Sequence, residues 1–143
     1  MARQKKHTLS FEQIFNFDMI GICSHHSDYR LAWNINTALA IRLCKSDEEY
    51  IVTNRKGEVS SSHSMYEFHD EANRFDYIMI KNKAQGRFLI PEKPSIDYFL
   101  FLVDNCAIEA VEVAALLKNV PSVLGVYTFD PEEIDSAEML VFV

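Results

Sequence analysis

The sequence predicts an α+β domain: an antiparallel sheet of about six strands with two helices packed on one face. Three observations carry this prediction. Short segments of alternating apolar and polar residues fill positions 48–90, a single continuous apolar run covers Tyr98–Val103, and two segments, Asp28–Cys44 and Ala107–Lys118, have helical character. The order of these elements is compatible with a ferredoxin-like variant. At 143 residues we expect one domain over 1–143, with residues 1–7 flexible.

The first third predicts a buried strand followed by a helix. Phe15–Cys23 is mostly apolar and includes Phe and Ile, which favour strands. In Asp28–Cys44 the residues Leu31, Ile35 and Leu39 recur at helical spacing, so one face of this helix lies on the sheet.

The middle third predicts a meander of antiparallel strands. Glu48–Thr53, Ser64–His69, Arg74–Lys81 and Arg87–Ile90 are separated by turn residues, and their side chains alternate between two faces. The polar stretch Ser60–Ser64 is predicted to be a loop.

The last third contains the most apolar elements. Two prolines exclude a helix between residues 90 and 98, and Tyr98–Val103 then has the pattern of a strand buried on both faces at the centre of the sheet. The helix Ala107–Lys118 is apolar nearly all round, so more than one side of it should be covered, by this chain or by another. Val123–Phe129 predicts a further strand, and the apolar tail Met139–Val143 should pair at an edge or dock on the core.

Charge and composition narrow the class of protein. The net charge is −7, and residues 89–143 hold two basic and ten acidic side chains, which argues against nucleic-acid binding. No run reaches the roughly 18–20 apolar residues that a membrane helix needs, so no membrane partner is expected. The three widely spaced cysteines fit neither a disulfide framework nor a zinc site. We therefore expect a cytoplasmic protein without metal or cofactor.

One segment has a recognisable signature, Leu89–Leu100, which reads LIPEKPSIDYFL. It resembles the motif of a small, uncharacterised bacterial family named after it, the IPExxxVDY family. The residues that match as they stand are Ile90, Pro91, Glu92, Asp97 and Tyr98. Ile96 stands where the family has Val, and this exchange keeps a β-branched residue.

Two other segments are similar to this family. The helix opening matches at Asp28, Tyr29, Arg30, Leu31 and Ala32, and an Asp-Pro pair matches at Asp130 and Pro131. This family has no assigned activity, no cofactor and no established fold, so the resemblance implies none of these for the chain.

The motif carboxylates Glu92 and Asp97 could be a catalytic acid–base pair, but a structural role in a loop is favoured. Arg42 supports that preference, because its place near the apolar stripe of the first helix calls for an acidic partner. We therefore predict that Glu92 or Asp97 bonds an arginine, namely Arg42, Arg30 or Arg87.

Histidine and cysteine suggest weaker alternatives. His25 and His26 could bind zinc together with His63 or His69 and the nearby Asp28 carboxylate, but neighbouring side chains in an extended segment diverge. Cys23 could be a nucleophile beside them, although a cysteine in an apolar strand is more often inert.

Taken together, these observations predict a non-catalytic domain that acts through protein–protein contact and forms a homodimer, since the last third concentrates apolar surface. Two alternatives stay open: a small-molecule sensor, and a hydrolase or transferase that uses Glu92, Asp97 and a nearby histidine.

Overall fold

A computed structural model of the chain describes residues 15–142, so the predicted flexible segment 1–7 and the last residue of the apolar tail lie outside the described residues. The two α-helices are α1, Asp28–Leu39, and α2, Ala110–Leu117. The strands are β1 Phe17–Cys23, β2 Cys44–Lys45, β3 Tyr50–Thr53, β4 Val59–His63, β5 Met65–Asp70, β6 Phe75–Lys81, β7 Lys83–Ala84, β8 Arg87–Phe88, β9 Tyr98–Val103 and β10 Gly125–Phe129. Short 3₁₀ helices cover Pro131–Glu133 and Asp135–Met139.

Six strands form the main sheet in the order β10-β1-β9-β6-β5-β2, and every neighbouring pair is antiparallel. This confirms the predicted α+β class and the antiparallel sheet. The chain leaves β1 through α1, forms β2 to β5, and reaches β6, with β9 lying between β1 and β6; it then runs from β9 through α2 to β10, with β1 lying between. This is a doubled split β-α-β arrangement with β5 and β2 added at one edge.

Strand β9 lies inside the sheet between β1 and β6, and all six of its residues are buried. The prediction for Tyr98–Val103 is therefore confirmed. Successive side chains point to opposite faces, so each face of the sheet receives half of this apolar run and both faces must be covered.

The two faces are covered by different kinds of structure. On the first face, α1 and α2 pack over Ile20, Ile22, Leu100 and Leu102. On the second face, loops and short 3₁₀ helices take the place of α-helices. The buried residues of this second layer include Leu89, Ile90, Ile96, Ile134, Ala137 and Leu140. The apolar tail docks here, and the Phe142 ring lies 4.8 Å from that of Phe101.

The first helix is shorter than the periodicity predicts, ending at Leu39 instead of Cys44. Ala40 takes a left-handed conformation with φ 56°, and its N–H bonds the Asn36 carbonyl. The Asn36 side chain then accepts from Leu43 N–H and donates to Leu43 C=O, which fixes the chain after the helix in a non-helical path. Leu43 still reaches the first core, so the apolar spacing continues without the helix.

The polar stretch predicted as a loop is a strand. Val59–His63 pairs with Tyr50–Thr53 in a hairpin closed by the turn at Asn54–Gly57. The serine and histidine side chains of the strand bond each other and the backbone, which makes a polar segment compatible with burial. The predicted strand Arg87–Ile90 is reduced to a two-residue pairing with Lys83–Ala84.

Within residues 15–142, neither helix has the length and apolar character that would let it span a membrane.

Candidate functional site

The motif segment between residues 89 and 98 is organised by a residue that sequence reasoning missed, Asn82. Its side chain is fully buried. The amide nitrogen donates to the carbonyls of Lys93 at 3.0 Å and Ile96 at 2.8 Å, and the amide oxygen accepts from the Ile90 N–H at 2.9 Å. One asparagine side chain therefore supplies hydrogen-bond partners to three backbone groups of the motif segment that do not belong to a β-ladder. The available signal was an amide directly after the apolar strand Phe75–Lys81.

Two motif residues anchor the segment in the second layer of the core. Ile90 and Ile96 are buried, and Ile96 lies against Gly21 of β1. A Cβ at Gly21 would stand 3.1 Å from Ile96 Cδ1 and 2.5 Å from Phe129 Cε2. The motif therefore packs on a place in β1 where only glycine leaves room.

Glu92 bonds the C-terminal part of the chain. Its carboxylate accepts from Ser136 N–H at 2.8 Å and from Ser136 Oγ at 2.7 Å. Burial raises the pKa of Glu92, but these hydrogen bonds outweigh it, and the net direction is a lowered pKa. A general acid needs the opposite shift, so the site favours a permanently ionised carboxylate.

Asp97 bonds the loop that precedes α1. Its Oδ2 accepts from the Ser24 N–H at 2.8 Å, and its backbone N–H donates to Ile22 C=O. Cys23, next in the chain, places its sulfur 3.5 Å from the Ser95 carbonyl, and burial together with the negative charge of Asp97 raises the pKa of the thiol. A raised pKa is the reverse of what a nucleophilic cysteine needs.

The predicted arginine partner is absent, and this prediction is wrong. Among residues 15–142 no arginine forms an ion pair with Glu92 or Asp97, and serine groups occupy their place. Arg42 is exposed, because α1 ends at Leu39 and Arg42 no longer lies on a helical face. Neither carboxylate bonds a histidine side chain in this part of the chain.

Tyr98 and the matching helix opening lie together on the first face. Tyr98 Oη donates to the His26 carbonyl at 2.8 Å, and Ser64 Oγ donates to the Asp28 carboxylate. Burial, with the charges of Asp28 and Asp97, raises the pKa of Tyr98 to about 12. The phenol is therefore a neutral hydrogen-bond donor. The neighbouring Tyr29 and Arg30 are exposed.

The histidines are spread over separate places. His25 is exposed in the loop before α1. His63 is fully buried: its Nδ1 donates to the Lys81 carbonyl at 2.8 Å, and its Nε2 accepts from Ser61 Oγ at 2.7 Å. Over residues 15–142 no group of three or more His, Cys, Asp and Glu side chains is placed to hold a metal ion.

The clearest concave feature lies on the second face, near the β5 edge. This acidic groove has a volume of about 590 Å³. Its apolar lining includes Met65, Ile78 and Phe142, and its charged lining includes Glu48, Glu67 and Asp76. His69 also lines it, with Nδ1 2.7 Å from Asp76 Oδ1. Sequence reasoning missed this groove because its lining combines the β5–β6 hairpin with the segment 46–50 and the C-terminal tail, which meet only in the folded chain.

The opposite edge of the sheet presents an apolar surface, which we call the β10 surface. It consists of the outer edge of β10 and the exposed apolar side chains of that strand, the residue before it and helix α2. These are Val111 (62% exposed), Leu116 (50%), Leu124 (64%) and Tyr127 (53%). Residues 15–142 therefore bury one side of helix α2, that of Val113, Ala114 and Leu117.

In comparisons with known proteins, no family model, no curated protein and no solved structure matches this chain.

Proposed function

We propose that this chain is a non-catalytic domain that acts through protein–protein contact and forms a homodimer through the β10 surface. The observation that supports this most is the outer edge of β10, with which no other strand of residues 15–142 pairs. Residues 119–129 contain no charged side chain, so the edge lacks the lysines and other charges that usually prevent strand pairing.

A second copy of the chain is the partner that this edge fits best. Two identical strand edges can pair antiparallel about a two-fold axis, and each then supplies the same surface to the other. The apolar side chains of the β10 surface would be covered in the same step, which removes exposed area that monomers seldom tolerate.

Charge on α2 supports the same arrangement. Glu112 lies in the first turn and Lys118 caps the end of the helix, and both are exposed without an ion pair among residues 15–142. A two-fold axis perpendicular to α2 would set the two copies of the helix antiparallel, so that each Glu112 approaches the Lys118 of the other copy. Opposite charges placed this way favour the two-fold arrangement over a parallel one.

Light scattering coupled to size exclusion tests the proposal. We expect the wild type to have twice the chain mass of 16.5 kDa. Leu116→Lys and Tyr127→Lys should each give the single chain mass, because they put charge into the proposed contact. Val59→Lys, at an equally exposed position of the β3–β4 hairpin, is the matched control and should stay dimeric. A monomeric wild type at all concentrations would refute the proposal.

We further propose that the chain belongs to the IPExxxVDY family of small bacterial proteins, that it works in the cytoplasm, and that its partners are proteins rather than nucleic acid or membrane. The residues of the motif, the helix opening and the Asp-Pro pair support the family, and the acidic last third supports the choice of partner. The doubled split β-α-β arrangement supports a ferredoxin-like variant as the fold family.

A further inference from the structure

We propose that the acidic groove binds an extended, cationic segment of a partner protein, in which lysine or arginine alternates with apolar residues. This inference rests on the proposed function in protein–protein contact and names a second contact, at the edge of the sheet opposite the β10 surface. Its occupant is a partner peptide and not a second copy of the chain.

The groove has the charge that such a segment requires. Glu48, Glu67 and Asp76 contribute three carboxylates, and no lysine or arginine is among the described residues that line it. Glu67 of β5 and Asp76 of β6 point to the same face, and Glu67 pairs with Ile78 while His69 pairs with Asp76. The two carboxylates are thus diagonal neighbours on one face; His69 Nδ1 bonds Asp76 Oδ1 at 2.7 Å, and together they present a negative surface to a basic side chain.

The groove also has apolar lining, which favours a peptide over a simple cation. Met65 and Ile78 lie on the same face of the sheet as Glu67 and Asp76, and Phe142 lines the groove from the tail. Every second residue of an extended chain points to the same side, so lysine or arginine at alternate positions can lay their apolar stems over these side chains while their charged ends reach the carboxylates. Arginine can bond a carboxylate through two parallel N–H groups, which makes the carboxylates of the groove selective for basic side chains.

A free strand edge lies beside the groove. Strand β2 pairs with β5 only at Tyr66 and Glu67, and Ser46 N–H donates to Met65 C=O just before them. Because backbone groups of an antiparallel strand alternate in direction, the N–H and C=O of His69 point to the same side as those of Met65 and Glu67. Within residues 15–142 the ladder on this side ends at Glu67, so His69 offers the next donor and acceptor to an added strand.

Fluorescence anisotropy with a labelled peptide of three Lys-Val repeats tests the inference on the full chain. We expect saturable binding that weakens as salt rises, and no binding of the matched Glu-Val peptide. The double variant Glu67→Lys, Asp76→Lys should weaken binding about tenfold or more. The control Glu58→Lys, Glu133→Lys makes the same change in net charge at exposed positions outside the groove and should bind like the wild type.

A second measurement on the wild type keeps the test valid if the double variant does not fold. Backbone amide shifts should move at His69 and Asp76 when the Lys-Val peptide is added, and stay unchanged at residues 125–129. Equal binding of both peptides, absence of binding, or shifts confined to β10 would overturn the inference. Light scattering on the same samples separates this result from the dimer, because the double variant should remain dimeric if the β10 surface forms the dimer.

Discussion

Replacing Asn82 by alanine should destabilise the domain more than any other single change of an asparagine. The substitution removes three side-chain hydrogen bonds to backbone groups of Ile90, Lys93 and Ile96. The motif segment has no strand ladder to replace them, and Asn82 itself is completely buried, so water does not reach the freed groups without a rearrangement.

The magnitude follows from the groups that lose their partner. The bonds to Ile96 C=O and from Ile90 N–H lie in buried surroundings. A buried polar group left without a partner costs about 1–3 kcal/mol, so the two together should lower the free energy of unfolding by about 2–6 kcal/mol. A domain of this size has a total of about 5–15 kcal/mol, so the loss is a large share of its stability.

Urea denaturation followed by far-ultraviolet circular dichroism, at one fixed protein concentration, measures this loss. With an m-value of about 1.5–2 kcal/mol per M, the midpoint of Asn82→Ala should fall by about 1–4 M. Asn82→Asp keeps the volume but turns an oxygen toward the Lys93 and Ile96 carbonyls, and it should cost at least as much. Asn16→Ala, exposed and with one side-chain bond at 3.4 Å, should change the free energy by about 0.5 kcal/mol or less.

The result that would refute this reasoning is a small effect of both Asn82 variants, comparable with that of Asn16→Ala. A large effect of Asn82→Ala with a wild-type midpoint for Asn82→Asp would also refute it, because shape rather than hydrogen bonding would then decide the stability.

Three further predictions concern the surroundings of the motif. Asp97→Ala should lower the free energy of unfolding by about 1–3 kcal/mol because it leaves Ser24 N–H without its acceptor, whereas Asp97→Asn should cost less since its amide oxygen can still accept. Gly21→Ala should lower it by about 1–3 kcal/mol, because the new Cβ meets the Phe129 ring. Burial lowers the pKa of His63 below its ordinary 6.5, so the unfolded chain takes up this proton first and the urea midpoint should fall as the pH drops from about 7.5 to 5.5.

Matched variants control these three predictions. Equal losses in Asp97→Asn and Asp97→Ala would contradict the role of the acceptor. Gly125→Ala should cost less than Gly21→Ala, since its nearest neighbour is the movable hydroxyl end of Tyr127. His63→Asn should flatten the pH dependence and His25→Asn should leave it unchanged. A steep dependence that survives in His63→Asn would mean that another group titrates.

The parts of the fold that follow from apolar periodicity could be predicted from the sequence. Strand β9 was predicted at its observed bounds because six apolar residues in a row leave few alternatives. The side-chain alternation of Phe75–Lys81 was also correct, since Phe75 and Met79 enter the first core and Ile80 the second. The position of these elements is determined by which side chains are buried, and the pattern of apolar residue types indicates that directly.

What could not be predicted depends on side chains that bond distant backbone. The Asn36 side chain bonds the backbone of Leu43 and so fixes the non-helical path after α1. Helix propensities of the residues do not reveal this contact. The β4 strand looked like a loop because serines are common in loops, although Ser61 and His63 satisfy each other inside. Asn82 and the acidic groove likewise require knowledge of which chain segments meet in space.

The unequal covering of the sheet has a consequence for how the molecule opens. The helices of the first layer are held by continuous backbone hydrogen bonds, whereas the second layer, residues 89–97 and 131–142, consists of turns and short 3₁₀ helices joined by contacts such as that of Glu92 with Ser136. We therefore expect amide hydrogens to exchange with solvent in two stages, first those of the second layer and later those of the central strands. When the second layer opens, the second face of the sheet becomes accessible, and a partner specific for that face would bind only this partly opened form.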